Sequence, residues 1–116
     1  MKKEKQIKKS NKYFELHAEV CKTFGHPKRL KVIHILREGE YTVTDLAERA
    51  GIDTSNLSQH LHILRDKGLV LTRRDGTKIF YRISHPNIGK ALDLMSAVLE
   101  QKIAASQNVF TDVDSE

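Results

Sequence analysis

Cysteine is nearly missing: the 116 residues include one, Cys21. That excludes an internal disulfide and fits a reducing compartment. Long apolar runs are missing too, since nothing approaches the roughly 18–20 residues that a membrane span requires. The opening MKKEKQIKKSNK is basic but lacks the apolar segment of a secretory signal. A cytoplasmic protein with no membrane partner is therefore expected. There is no glycine-rich phosphate loop, no nucleophile beside a paired base, and no carboxylate pair in a pocket-like segment. These absences argue against an enzyme and leave no cofactor to expect. At 39% apolar residues the chain can build one modest core, with Leu, Ile and Val to share between that core and an oligomer interface.

Charge is less informative in total than in distribution. The formal net charge is +5, yet the first twelve residues hold six lysines and one glutamate, so residues 13–116 sum to zero. Residues 1–12 read as a basic flexible arm and 108–116 as an acidic flexible tail around a folded body over 13–107. Within that body Arg65, Lys67, Arg73, Arg74, Lys78 and Arg82 cluster against only Asp66 and Asp75. Phosphate contacts belong at such a cluster.

The densest pattern is VTDLAERAGIDTSNLSQHLHILRDKGLVL, residues 43–71. Thr42 with Asp45 three residues on caps a first short helix, and Ala47, Ala50 and Gly51 allow a second helix to approach closely. Asp53 caps the second helix, where Leu57, Leu61 and Leu64 recur at helical spacing. The opposite side then carries Ser55, Asn56, Ser58, Gln59 and His62, which are polar, uncharged and suited to reading base edges in the major groove. This is a helix-turn-helix.

The flanking segments complete it. YFELHAEVCKTF (13–24) forms a helix with Phe14, His17, Val20, Cys21 and Phe24 on one side. Gly25 ends it and Pro27 opens the next helix, in which Leu30, Ile33, Ile35 and Leu36 point largely inward. LVLTRRDGTKIFYRIS reads as a hairpin with Asp75-Gly76 at its tip. From Pro86 to about Gln107 a long helix carries the stripe Ile88, Ala91, Leu92, Met95, Val98, Leu99 and Ile103. The predicted class is mainly α with a small β-hairpin, in the winged helix-turn-helix order α-α-α-α-β-β-α. The last stripe is wider than so small a core covers. Pairing Leu92, Met95, Val98 and Leu99 with a second copy, with Phe14 and Val20 alongside, would bury it.

On three stretches, FGHPKRLKVIHIL, VTDLAERAGIDTSNLSQHLHILRDKGLV and RRDGTKIFYRIS, the chain resembles the ArsR/SmtB family of winged-helix repressors over residues 13–105. The resemblance implies a homodimer packed through the first and last helices. It also implies binding to an inverted repeat in double-stranded DNA, and release when an inducer, often a metal ion, binds elsewhere. Carried over residue by residue, Ser55, Asn56, Ser58, Gln59 and His62 look like groove contacts, with Asn56 and Gln59 the natural adenine readers. Arg65 is placed for phosphate, and Arg73, Arg74 and Lys78 look like wing contacts to the backbone or minor groove.

The chain departs from the family's metal-sensing members. Their paired-cysteine stretch corresponds here to a run with Thr42, Thr44 and Ala47, which supplies no thiolate. Their last-helix site corresponds to His85, Asn87, Val98 and Gln101, of which only His85 is a good ligand. Persulfide or oxidant sensing in the family uses two cysteines, and this chain has Cys21 alone. What remains is His17 with Cys21, four residues apart on one helix face. Two such pairs across a dimer would make a Cys₂His₂ set and Cys21 alone would make a redox switch helped by Lys22 or His26, but the favoured reading of both residues is core or interface packing. No metal site is assigned, and the inducer stays open. His26, His34 and His60 read as capping, surface or packing residues. Two further functions compete with the repressor: a protein-docking winged helix, which predicts apolar side chains where Ser, Asn, Gln and His stand, and a chromosome-coating protein, which predicts equal affinity for unrelated duplexes.

Overall fold

Each helix opens on a side-chain cap. In the computed structural model, which describes residues 8–106, Ser10, His26, Thr42, Asp53 and His85 each accept a backbone N–H from the first turn that follows. These caps set the starts of α1 (Asn11–Phe24), α2 (Pro27–Leu36), α3 (Val43–Ala50), α4 (Thr54–Asp66) and α5 (Pro86–Ala105). Because Ser10 Oγ accepts from Tyr13 N at 3.3 Å, α1 takes in Asn11 and Lys12, the last two positions of the expected arm. The rest of that arm up to residue 7, and the expected acidic tail, lie outside the described residues.

Three strands complete the order: β1 (Tyr41–Thr42) before α3, then β2 (Val70–Asp75) and β3 (Lys78–Ile83). The sheet is antiparallel with β3 in the middle. Here the hairpin expected from sequence gains a third strand, with Tyr41 opposite Tyr81 and Thr42 opposite Phe80. The physical reason is the cap itself: an N-cap residue is extended, and Thr42 at φ −76°, ψ 165° is already in strand conformation. The tip also differs by one residue. Asp75 pairs with Lys78, so the two-residue turn is Gly76-Thr77, with Gly76 at φ +66°; a positive φ at the first turn position is what glycine supplies there.

The core lies among α2, α3, α4 and the base of β2. Val32, Ile33, Leu46, Leu57, Leu61, Leu64 and Val70 are completely buried, joined by Leu36, Ala47, Ala50, Ile52 and Leu69. In α2 the inward set is Val32, Ile33 and Leu36; Leu30 and Ile35, expected inside, sit half-buried at the flanks. At the corner between α3 and α4, Gly51 adopts the left-handed conformation (φ 70°, ψ 34°), and Gly51 and Ile52 both donate to the Ala47 carbonyl. That seal stops α3 and turns the chain into α4.

By contrast α5 meets this body only along its first turns. Ile88 and Leu92 pack against the core and Gly89 is buried, but Leu94, Met95, Val98 and Leu99 are 71%, 66%, 60% and 54% exposed. Among the described residues no helix is long and apolar enough to cross a membrane.

Candidate nucleic-acid interface

Along α4 the leucines decide which side faces out. With Leu57, Leu61 and Leu64 fully buried and successive residues turning by 100°, Ser55, Ser58, Gln59 and His62 centre on the opposite side, and all four are exposed. Asn56 belongs to the flank instead, half-buried beside the inward His60, with the exposed Ile63 two turns on along the same edge. Arg65 is exposed on the other edge and has no acidic partner among the described residues. The N-terminal turn is locked by Asp53, whose Oδ1 accepts from Asn56 N at 2.8 Å and Ser55 Oγ at 3.1 Å. Those two hydrogen bonds hold the Asp53 carboxyl below its ordinary range, with Lys28 nearby adding to the effect.

Lys28 went unnoticed in the sequence. It is exposed on the first turn of α2 and close enough to act on both Asp53 and His60. It therefore brings a cation to the start of α4, where the helix N-terminus already favours an anion. The available signal was its place just after Pro27, on the first turn of α2.

Underneath, His60 is 8% exposed and packs against His26, ring centroids 4.7 Å apart with the planes tilted by 57°, and its Nδ1 is 3.4 Å from Arg29 Nη1. Arg29 in turn donates from Nε to the Thr23 carbonyl at 2.8 Å. Burial first, then His26, Arg29 and Lys28, push the His60 pKa down. Of the capping, surface and packing roles expected jointly for His26, His34 and His60, His26 takes the cap of α2 and His60 a buried packing position.

On the wing the cations are not equivalent. Arg73 is held by Glu40, from Nε at 2.8 and 2.9 Å and from Nη2 at 2.8 Å, and lies over the Phe80 ring at 4.6 Å. At the far end of α4, Lys67 is paired with Glu19 of α1 at 3.1 Å. Arg74, Lys78 and Arg82 are exposed without an acidic partner among the described residues. Strand alternation puts Arg74 with Ile79 on one face of the ribbon and Lys78 with Asp75 on the other. The tip thus offers a cation on each side.

Of the six residues expected at a dimer interface, Phe14, Met95, Val98 and Leu99 are exposed, while Val20 and Leu92 are half-buried against the core. Leu16 and Leu94, 57% and 71% exposed, add to the same apolar surface of α1 and α5. Between these helices runs a groove of about 740 Å³ lined by Val20, Phe24, Ile88, Leu92 and Met95, with His17 and Cys21 on its α1 side. Cys21 is exposed in the single chain. Among the described residues no three His, Cys, Asp or Glu side chains gather to hold a metal ion.

A polar helix face turned outward, a second helix set across it and a cationic β-ribbon beside it define a winged helix-turn-helix DNA-binding domain. The bacterial regulatory protein arsR family matches residues 26–72. The HTH-type transcriptional regulator Rv0081 of Mycobacterium tuberculosis is 35% identical over 105 residues, 90% of this chain and 92% of that one. Its crystal structure superimposes with a TM-score of 0.76 at 36% identity, covering 83% and 97% of the two chains. The biofilm growth-associated repressor of Xylella fastidiosa is 42% identical over 81 residues, 70% of this chain and 68% of its own. A homodimeric winged helix-turn-helix DNA-binding domain from Mycobacterium bovis, solved by NMR, matches with a TM-score of 0.73 at 27% identity, over 85% of this chain and 92% of that one. This chain belongs to the arsR family and is a DNA-binding regulator of transcription; its family and relatives are regulators rather than enzymes.

Proposed function

We propose that the chain acts in the cytoplasm as a homodimeric repressor at an inverted repeat, its two α4 helices entering successive major grooves. The observation that carries this reading is the outer side of α4, where Ser55, Ser58, Gln59 and His62 are exposed opposite three fully buried leucines. Short hydrogen-bonding side chains on a rigid helix suit base edges, with Gln59 central and Asn56 reaching from the flank. Arg65, Lys28, Arg74 and Lys78 supply phosphate contacts around it. Arg73 joins them only by leaving Glu40. Dimerisation uses the exposed apolar surface of Phe14, Met95, Val98 and Leu99, extended by Val20 and Leu92. Two half-sites then lie about one helical turn, roughly 34 Å, apart.

Binding to the duplex upstream of the chain's own coding sequence, compared with an unrelated duplex, tests the reading. Gln59→Ala is expected to cost about 1–3 kcal/mol on the first and little on the second. Equal losses on both would remove Gln59 from base reading. His17 and Cys21 line the groove beside the dimer surface, so an inducer acting through them would work by altering how the two copies meet.

A further inference from the structure

Among the described residues, α5 makes its side-chain hydrogen bonds to another helix through a single guanidinium. Arg37 caps the end of α2, its backbone N–H donating to the Ile33 and His34 carbonyls. Its side chain crosses to α5, where Nη1 donates to Asp93 Oδ1 at 2.7 Å and Nη2 donates to Asp93 Oδ2 at 2.8 Å. A two-pronged contact of this kind fixes a plane as well as a distance. Gly89 lies one turn earlier on the same face and is buried. The guanidinium occupies its side-chain space, since a Cβ at Gly89 would stand 2.7 Å from Arg37 Nε and 3.1 Å from Cζ. Glycine inside a helix is otherwise unfavourable, so its presence where the arginine lies marks a close approach that the helix itself does not require.

Stability is a poor account of this clasp. Its side chains are 32% and 59% exposed, and ion pairs so open to solvent add little. Geometry is a better one. On one side α2 buries Val32, Ile33 and Leu36 in the core that seats α4. On the other, α5 runs 20 residues and exposes Leu94, Met95, Val98 and Leu99 beyond the clasp. A helix about 30 Å long that swings by roughly 10° at its root moves its far end by about 5 Å. We propose that Arg37, seated on Gly89 and clasped by Asp93, is a positioning residue that sets the angle of α5 against the DNA-reading body, and thereby the separation of the two α4 helices in the dimer. The role rests on the dimer reading given above.

Spin labels on α4 read that separation directly. In a Cys21→Ser, His62→Cys background, pulsed dipolar spectroscopy of the DNA-free protein gives the α4-to-α4 distance, and light scattering gives the mass. The intact clasp is expected to give one narrow distance distribution. Asp93→Asn and Gly89→Ala are expected to stay dimeric, to keep their melting temperature, and to broaden that distribution by a few ångströms, the displacement that a swing of about 10° gives at the far end of the helix. Arg37→Lys keeps the charge but loses the fork, and is expected to broaden it as well. Distributions that superimpose with and without the clasp would overturn the proposal, as would a variant that loses melting temperature while its distances stay the same. A background protein that is monomeric by mass overturns the dimer reading and this role with it, which separates the two failures.

Discussion

His60 and Gln59 are adjacent, and the turn between them separates a buried side chain from one proposed to read bases. Gln59 faces solvent and His60 is buried over His26 and Arg29. Arg29 can donate to Nδ1 only while the His60 ring is neutral, and burial, His26, Arg29 and Lys28 all lower its pKa from the ordinary 6.5. The unfolded chain therefore takes up the proton first. Stability falls as the pH drops from about 6.5 through the lower folded value, and is unaffected by this group above that window. Denaturant midpoints should decrease between about pH 7.5 and pH 5.5, and His60→Gln should show less of that decrease. The paired carboxylates act elsewhere: Glu19 beside Lys67 and Asp93 beside Arg37 have lowered pKa values, so they give up stability only as the pH falls below their ordinary 4.5 and 3.8. A His60→Gln protein with an unchanged pH profile would contradict this account.

Within an element, local chemistry was legible and distant pairing was not. Thr42, Asp53 and Gly51 announce where α3 and α4 start and turn because caps and left-handed glycines act over three or four residues. Leu57, Leu61 and Leu64 reveal the inner side of α4 by spacing alone, and Leu61→Ala should cost about 2–5 kcal/mol in a denaturant titration. Alternation and Asp75-Gly76 mark the wing as a ribbon, but its charge pattern depends on a distant residue. Arg73 meets Glu40, 33 positions away, and Arg37 meets Asp93, 56 positions away. No local rule connects such residues, nor the two-residue strand at Tyr41 with its partner Tyr81. One consequence separates the wing arginines. Arg74→Ala should weaken every duplex alike and lower the salt slope by about one, whereas Arg73→Ala should do less because Glu40 already neutralises it. Glu40→Gln, which frees Arg73, should steepen the slope. Equal effects of the two arginine variants would argue against that distinction.

For the whole molecule, the question is what covers α1 and α5. The core is complete without the outer turns of α5, and Met95 at 66% exposure is too apolar to be left in water without reason. Met95→Glu should therefore yield a folded monomer that binds DNA weakly, seen as a halved mass in light scattering with an unchanged far-ultraviolet spectrum. A dimer that survives the substitution would put the interface elsewhere. The most direct test of the account lets the protein choose its own ligand from a pool of randomised duplexes, followed by sequencing of what is retained. The account predicts enrichment of an inverted repeat with half-sites about one helical turn apart, and loss of that enrichment with Gln59→Ala. Retention of duplexes with no shared sequence, or the same enriched sequence after Gln59→Ala, would contradict it.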